Sequence, residues 1–266
     1  MRFSLSSLLP SPLLPCIIFA STSSLIAQSD VKPQPPVLHA QDGGTSGVME
    51  SIFIPPILAA PFTLTLVTEW SRPLPNGGTV TLANKRRIAR DGGGRIYQQR
   101  WLLVPKGSKI ESQIDVIQIM NPHEHTLYNC FVRQKACELV RYSLASDTVY
   151  KPSIGVTGPL NNGIGFSLHE DLGVSNSAGL DTTGYRETTT INPGVLGNDQ
   201  PMVTTREFWY SSHLQINLVS KIDNPQSGKQ DFTVRELTTS EPDPKLFDLP
   251  EDYKVVDGRK SEAGLK

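Results

Sequence analysis

The chain has 266 residues, of which 26 are acidic and 25 are basic, and its formal net charge at pH 7 is −1. A nearly neutral chain lacks the basic surface with which nucleic-acid binders neutralise phosphates, so that class is excluded. Hydrophobic residues make up 38%, which is enough for a buried core and excludes a fully disordered protein. Long apolar runs do not recur, which excludes a polytopic membrane protein.

The first 27 residues have the pattern of a secretory signal peptide. Arg2 supplies a short positive region, residues 8–20 are mostly apolar, and Ala27 is the small residue expected before the cleavage point. We therefore expect export, cleavage after Ala27 and a periplasmic or secreted location. The alternatives are a retained membrane anchor, which the prolines within the run disfavour, and a lipoprotein modified at Cys16.

A second apolar stretch covers residues 52–67 and contains three prolines. Proline breaks helices, and the stretch is shorter than the ~20 residues of a spanning helix, so we expect no transmembrane segment after signal cleavage. Residues 28–60 are then expected to form a flexible leader rich in Pro and Gly, whose apolar end leads into the first strand.

From residue 61 onward, short alternating runs lie between turn signals. Leu214, Ile216 and Leu218 alternate with polar residues, and Asp91 with the three following glycines predicts a tight turn. About eleven such runs, without a convincing 3.6-residue period, predict a mainly β domain at 61–256 with few helices, followed by a polar tail at 257–266. The simplest architecture is a single antiparallel meander, curled into a half-barrel that protects its edges.

Two long connections interrupt the predicted meander, at residues 143–164 and 192–201. Both contain several Gly, Pro and Asn residues. A long loop in a compact domain is either a variable surface loop or a lid over a cavity, and the sequence leaves both interpretations open.

Two cysteines follow the signal segment, Cys130 and Cys137. If the chain reverses at Arg133 and Gln134, the two cysteines face each other across one hairpin. In an exported chain this placement predicts a disulfide bond, with two separate thiols as the alternative. The spacing is not C-x-x-C, so a redox-catalytic pair is not expected.

His123 and His125 lie two residues apart, so on a strand they would share a face and could reach one metal ion. No spacing in the sequence supplies a third ligand, and Asn121 with Pro122 predicts a turn at this point. We therefore expect exposed turn histidines and no metal site.

The sequence contains no motif for nucleophilic or cofactor chemistry. Residues 173–177 do not match G-x-S-x-G, and residues 92–94 do not continue into a dinucleotide or phosphate loop. We expect no catalytic residues, no cofactor and no enzymatic activity. The enzymatic alternative is a hydrolase with a dispersed site, in which His123 or His213 pairs with a buried Ser or Asp.

Lys85, Arg86 and Arg87, with Arg90 and Arg95 nearby, form a basic cluster. On a strand, Arg86 shares a face with apolar positions, whereas Lys85 and Arg87 point to the other face. The cluster is either a solvated outer face or a contact with an anionic lipid head group or an acidic partner.

Three stretches resemble uncharacterised bacterial envelope proteins. They are residues 89–100 (ARDGGGRIYQQR), residues 207–234 (EFWYSSHLQINLVSKIDNPQSGKQDFTV) and the run from Glu241, which reads E-P-D-P-x-L-F-x-x-P-x-D-Y-x-V. That group is similar in turn to the lipoprotein-carrier fold of periplasmic lipoprotein chaperones and sigma-E regulators. The resemblance implies an eleven-strand half-barrel whose concave face receives acyl chains, and it carries over no catalytic residues.

The leading hypothesis is therefore a non-enzymatic exported protein that binds a hydrophobic or lipid ligand on a concave sheet. The alternative is an envelope scaffold or sensor that pairs with a protein partner through a sheet edge or the apolar lead-in. The shape of the concave face separates the two hypotheses, because a face filled by the protein's own side chains leaves no room for an acyl chain.

Overall fold

The computed structural model of the protein describes residues 52–142 and 155–260. The predicted signal peptide, most of the leader, residues 143–154 of the first long loop and the end of the tail lie outside the described residues. The expectations for those segments stay predictions.

Fourteen strands form one open, curled sheet, which confirms the mainly β prediction with more strands than the eleven expected. Three of them have only two, two and four residues, too few for an alternating pattern to show in the sequence. The strands are β1 (Phe62–Pro73), β2 (Thr79–Arg90), β3 (Ile96–Trp101), β4 (Val104–Pro105), β5 (Ile114–Asn121), β6 (Thr126–Phe131), β7 (Ala136–Arg141), β8 (Gly158–Pro159), β9 (Gly165–Ser177), β10 (Leu180–Ile191), β11 (Met202–Ser211), β12 (Ile216–Asn224), β13 (Gly228–Thr238) and β14 (Lys254–Asp257). Within the described residues, the helical elements are 3-10 turns at Asn161–Gly163, Pro244–Phe247 and Gly258–Lys260.

The sheet is built from two antiparallel meanders that meet in its middle. The strands from β1 to β7 extend to one side, and those from β8 to β13 start at the opposite edge and return until β13 pairs with β1. β14 then pairs in parallel with β7, and β4 joins β2. The prediction of one antiparallel meander is therefore corrected in two respects, because turn signals reveal local hairpins but not the long connections that place β1 centrally and β14 parallel.

The strand register gives the sheet two faces with different environments. Phe62, Leu64 and Leu66 of β1 share one face with Ile88 of β2 and Phe232 of β13, and we call this the inner face. Each large apolar side chain buried there contributes about 1.5–3 kcal/mol. The buried members of this core are Ile52, Ile54, Phe62, Leu64, Leu66, Ile88, Ile96, Leu214, Ile216, Leu218, Ile222, Phe232 and Val234.

The opposite, outer face of β2, β3 and β5 is covered by a C-terminal segment, residues 241–253, which we call the strap. Its Phe247 packs with Ala89, Tyr97 and Ile119 in a second apolar cluster. The Asp243 side chain accepts a hydrogen bond from the backbone N–H of Lys245 and so caps the short 3-10 turn of the strap. The strap then leads directly into β14.

Candidate functional site

The centre of the inner face is filled by the protein's own side chains. Ile52 and Ile54 from the lead-in, with Leu214 from the turn before β12, belong to one cluster with Phe62 and Phe232. None of these five side chains is more than 6% exposed. Within the described residues, the centre of this face therefore presents no open apolar surface to an acyl chain.

Arg90 holds the lead-in and the turn before β12 against the inner face. Its buried guanidinium donates from Nε and Nη2 to the Ala60 carbonyl oxygen, at 3.0 and 2.8 Å, and from Nη1 to the Pro55 carbonyl oxygen at 2.8 Å. A further bond of 2.8 Å runs from Nη2 to the Leu214 carbonyl oxygen, and the guanidinium carbon lies 4.8 Å from the Phe62 ring centroid. Burial lowers the pKa of Arg90 to about 10, so the group is still charged at neutral pH.

Towards β7, the inner face carries a row of polar side chains. The register places Gln98, Gln118, Asn129 and Glu138 opposite one another on successive strands from β3 to β7. Gln118 Nε2 donates to Asn129 Oδ1 at 2.8 Å, and Arg86 Nη2 donates to Gln98 Oε1. Gln98, Gln118 and Asn129 are buried. Buried amides of this kind need hydrogen-bond partners, so this half of the face suits polar groups better than acyl chains.

The structure separates the three predicted contact residues Lys85, Arg86 and Arg87. Arg86 is buried on the inner face, whereas Lys85 and Arg87 are exposed on the outer face. Lys85 Nζ lies 4.3 Å from the centroid of the Trp101 ring. Arg86 and the fully buried Arg90 therefore do not belong to a surface cluster, and a head-group or partner contact stays a prediction for Lys85 and Arg87.

Cys130 and Cys137 are directly opposed across the β6–β7 hairpin and are joined by a disulfide, with the sulfurs 2.03 Å apart. Both side chains are fully buried on the outer face. The chain reverses over residues 132–135, the region in which the sequence predicts the turn. Full burial makes this bond a structural crosslink rather than an accessible redox centre.

His123 and His125 lie in the exposed turn between β5 and β6, where the sequence predicts them. His123 Nε2 lies 2.8 Å from the carbonyl oxygen of Gly93. Among the residues that the structure describes, no group of three or more His, Cys, Asp or Glu side chains is arranged to hold a metal ion.

A serine–histidine contact that the sequence analysis missed joins Ser167 and His169 on β9. Ser167 Oγ lies 3.0 Å from His169 Nε2. The two residues are i and i+2 on one strand, so their proximity is the ordinary consequence of sharing a face. Ser167 is 6% exposed, and a nucleophile needs access to its substrate. His213, the other histidine of the hydrolase alternative, is exposed in the turn between β11 and β12.

The three stretches that carry the family resemblance meet at the turn between β2 and β3. Glu241 of the strap accepts the backbone N–H of Gly92 with both carboxylate oxygens, at 3.0 and 3.1 Å. The second stretch reaches the same end of β2 through the bond from Arg90 to Leu214. These motifs therefore have a structural explanation. Their contacts fix the turn between β2 and β3 and hold the strap over the outer face.

A cavity of about 430 Å³ lies between the strap and the outer face. This volume is within the range of small-molecule sites. Five of its eight lining residues are apolar or aromatic and the other three are charged, with both signs present, so the lining does not point to one class of ligand. The lining residues are Tyr97, Ile117, Lys245, Leu246, Asp248, Leu249, Pro250 and Glu251.

On the outer face of the C-terminal half, a ladder of charged side chains crosses six strands. Cross-strand neighbours of opposite charge stabilise a sheet, although exposed pairs contribute little individually. The last two members, Asp231 and Glu69, are both acidic, and Glu69 is instead paired with Lys106, with Nζ to Oε2 at 2.7 Å. In strand order the members are Glu170, Arg186, Glu207, Lys221, Asp231 and Glu69.

Glu207 is the centre of this ladder. Burial alone raises the pKa of its carboxyl group, but hydrogen bonds from Trp209 and Arg186 and the charge of Lys221 outweigh burial and lower the pKa to about 2. The donor distances are 3.0 Å from Trp209 Nε1, 2.9 Å from Arg186 Nη2 and 3.3 Å from Lys221 Nζ. A carboxylate held ionised by three donors is suited to a structural role rather than to proton transfer at neutral pH.

Among the residues that the structure describes, the sheet edge at β9 is unpaired along most of its length. β9 has 13 residues, but β8 pairs only with Phe166 and Ser167. The Thr157 hydroxyl accepts the N–H of His169 at 2.9 Å and donates to its carbonyl oxygen at 3.3 Å. From residue 170 to residue 177, no described residue pairs with the edge of β9 that points away from β10.

The open part of β9 is only partly protected against pairing with another strand. Asp171 is exposed and Val174 is 77% exposed. A β-bulge opposite Gly184 and Tyr185 adds one residue to β9 at this point. A bulge and nearby acidic side chains discourage indiscriminate pairing, but a long unpaired edge with an exposed valine remains a template for another strand.

The opposite edge of the sheet is formed by β14. One edge of this strand pairs with β7, and its other edge points away from the sheet. Val255 and Val256 are 46% and 38% exposed, and Lys254 is exposed as well. The start of the strand is held by the backbone N–H of Lys254, which donates to the Lys135 carbonyl oxygen at 2.9 Å, and by the Lys135–Asp252 ion pair at 2.5 Å. Both ends of the sheet therefore present exposed strand surface.

Among solved structures, the chain is similar to MucB and to proteins of the LolA superfamily. It is 14% identical to MucB with a TM-score of 0.36, covering 74% of this chain and 60% of that one. The MucA/MucB complex of Pseudomonas aeruginosa gives 14% identity, a TM-score of 0.37 and coverage of 74% and 58%. A LolA-superfamily protein from Nitrosomonas europaea gives 10% identity, a TM-score of 0.29 and coverage of 71% and 90%.

The chain thus spans about 60% of the length of the MucB structures that it matches. No protein-family model matches it, and no curated protein matches it. In the part of the chain that the structure describes, no helix has the length and apolar character needed to span a bilayer.

Proposed function

We propose that this protein is an exported, non-enzymatic scaffold of the cell envelope that binds another polypeptide along the open edge of β9. The stretch at residues 170–177, which no described strand pairs with, carries the proposal, because an edge strand presents a row of backbone donors and acceptors that an extended segment can pair with. The exposed Val174 adds an apolar side chain that such a segment can cover. The signal-peptide pattern supports export.

The hypothesis of a hydrophobic or lipid ligand on the inner face has less support. A ligand there would have to displace the lead-in, whose Ile52 and Ile54 lie in the core. The lead-in is fixed by the bonds from Arg90 and by the Ala59 N–H, which donates to the Gly92 carbonyl oxygen at 2.9 Å. We therefore place a protein partner first and a lipid ligand second.

Site-specific photocrosslinking tests the choice between the two. A benzophenone side chain is introduced at Val174 in the full-length protein and, as a matched control, at Leu196, which is 61% exposed but lies in a loop. The proposal predicts a protein adduct in the envelope fraction at position 174 that is several-fold stronger than at position 196. Equal protein labelling at both positions overturns it. Native mass spectrometry of the same preparation that shows a bound lipid and no partner overturns it in favour of the lipid ligand.

A further inference from the structure

Strand direction determines how two copies of this sheet can join. All neighbours from β9 through β13 and β1 to β7 are antiparallel, and this path contains eleven strands, so β9 and β7 point the same way. β14 is parallel to β7 and therefore points in this direction too. Suppose that a second copy adds its β9 edge to the β14 edge of the first copy, with the inner faces of both sheets on the same side. Its β9 then lies parallel to β14 of the first copy.

The side chains that meet across such a junction lie on one face. Register places Asp171 and Val174 of β9 on the inner face, through their partners on β10. It places Lys254 and Val256 of β14 on the inner face as well, through their partners on β7. A parallel junction therefore brings these four side chains together rather than on opposite sides of the sheet.

The spacing of the two strands also matches. Asp171 and Val174 are three residues apart, and the bulge adds one residue to β9 between them. Lys254 and Val256 are two residues apart on a regular strand. A register that sets Lys254 against Asp171 therefore also sets Val256 against Val174, which gives one ion pair and one apolar contact.

The two edges carry opposite charge. The segment Gly158–Ser177 contains Glu170 and Asp171 and no lysine or arginine. Residues 254–260 contain three basic residues and one acidic residue. Two copies joined antiparallel, β9 to β9, can bring their Asp171 side chains together on the inner face and their Glu170 side chains together on the outer face, and like charges facing each other are destabilising. The charges favour β9 with β14 over a symmetric contact.

We propose that β14 of one copy of this chain adds to β9 of the next copy, so that the copies form a head-to-tail assembly with a continuous sheet. The proposal rests on the edge-binding function above and identifies the partner as a second copy. Such a heterologous contact uses two different surfaces, so it extends into a ring or an open filament rather than stopping at a dimer.

Charge reversal at the two edges tests the assembly, measured by size-exclusion chromatography with light scattering on the full-length protein purified from the envelope. The wild type is expected to form oligomers whose size grows with concentration. Asp171→Lys and Lys254→Asp each place like charges at every junction and are expected to weaken association roughly tenfold or more. The double variant restores opposite charges and is expected to restore association. The control variants Asp199→Lys and Lys109→Asp change exposed residues away from both edges and are expected to assemble as the wild type does.

A wild type that stays monomeric at all concentrations overturns the head-to-tail assembly, as does a double variant that fails to reassemble. A crosslink between positions 171 and 254 within a single chain also overturns it, since the two edges then close one sheet on itself. If the wild type is monomeric but the probe at Val174 still labels a different protein, the assembly is wrong while the edge-binding function stands. If the probe labels nothing above the Leu196 control, the edge-binding function fails too.

Discussion

The guanidinium of Arg90 on β2 donates a hydrogen bond of 2.8 Å to the carbonyl oxygen of Leu214, in the turn that precedes β12. β2 and β12 are separated in the sheet by β1 and β13. Three strand spacings amount to about 14 Å, which is farther than one side chain reaches across a flat sheet. The contact therefore requires the sheet to curl and the turn to fold over the inner face. One buried cation thus connects the lead-in, the middle of the sheet and the C-terminal half.

Replacement of Arg90 should destabilise the fold strongly. Arg90→Met leaves the carbonyl oxygens of Pro55, Ala60 and Leu214 without their buried donor, so we expect the free energy of unfolding to fall by about 3–5 kcal/mol. Urea unfolding measures it. Arg87→Met changes an exposed neighbour on the same strand and should stay within about 0.5 kcal/mol of the wild type. A similar loss in both variants would contradict the role of Arg90.

Removal of the Cys130–Cys137 bond should have a moderate effect. The bond closes a short ring in one hairpin, and the loss of this constraint in the unfolded chain is worth about 2.5 kcal/mol in the chain-entropy model. We expect the double variant Cys130→Ala with Cys137→Ala to unfold at lower urea than the wild type by this amount. Intact mass of the exported protein should show the oxidised form, two hydrogens lighter than the dithiol. Two free thiols in the exported protein would contradict the assignment.

The low pKa of Glu207 predicts an acid-sensitive contribution to stability. Because the folded-state pKa of about 2 lies below the ordinary value of 4.5, the unfolded chain binds more protons between these values. The contribution is therefore present above pH 4.5 and is lost as the pH falls towards 2. Solvent screening reduces it to about 1–2 kcal/mol.

The measurement for Glu207 is urea unfolding at pH 6 and pH 3. Glu207→Gln should lose this increment at pH 6 and show a smaller stability change between the two pH values than the wild type. Glu111→Gln, an exposed residue away from the ladder, is the matched control and should behave as the wild type does. An unchanged pH dependence in Glu207→Gln would contradict the assignment.

Phe247 should anchor the strap and, through it, the β14 edge. The side chain is 7% exposed and packs with Ala89, Tyr97 and Ile119. We therefore expect Phe247→Ala to lower the free energy of opening of the strap, measured by hydrogen exchange, by about 3 kcal/mol or more. Hydrogen exchange should rise across residues 244–257 while β9 to β13 stay protected. Val255→Ala, at an exposed position of β14, is the control. Uniform loss of protection over the whole sheet would instead show that the strap is part of the global core.

Local features of this fold were predictable from the sequence. Alternation in β1 and β12, the turn after Asp91 and the hairpin that pairs Cys130 with Cys137 all follow from residue patterns acting over a few positions. The alternation also placed Arg86 on the same face as Ile88, which the register shows. These features depend on contacts between neighbours in the chain.

Features that depend on distant contacts were not predictable. The pairing of β1 with β13 and the parallel position of β14 are set by long connections, and no local pattern specifies either. The burial of Arg86 and Arg90 also escaped the sequence analysis, because charged residues are seldom buried and the carbonyl groups around Arg90 come from three separate segments. The open edge at β9 follows from the two-residue length of β8, which no periodicity reveals.

If this protein acts through the edge of its sheet, a photocrosslinker at Val174 forms an adduct with a protein, and peptide mapping of that adduct identifies the partner strand. We expect a protein adduct whose linked peptide contains residues 254–257 of a second copy. An adduct with lipid alone, or labelling no stronger than at Leu196, would contradict it.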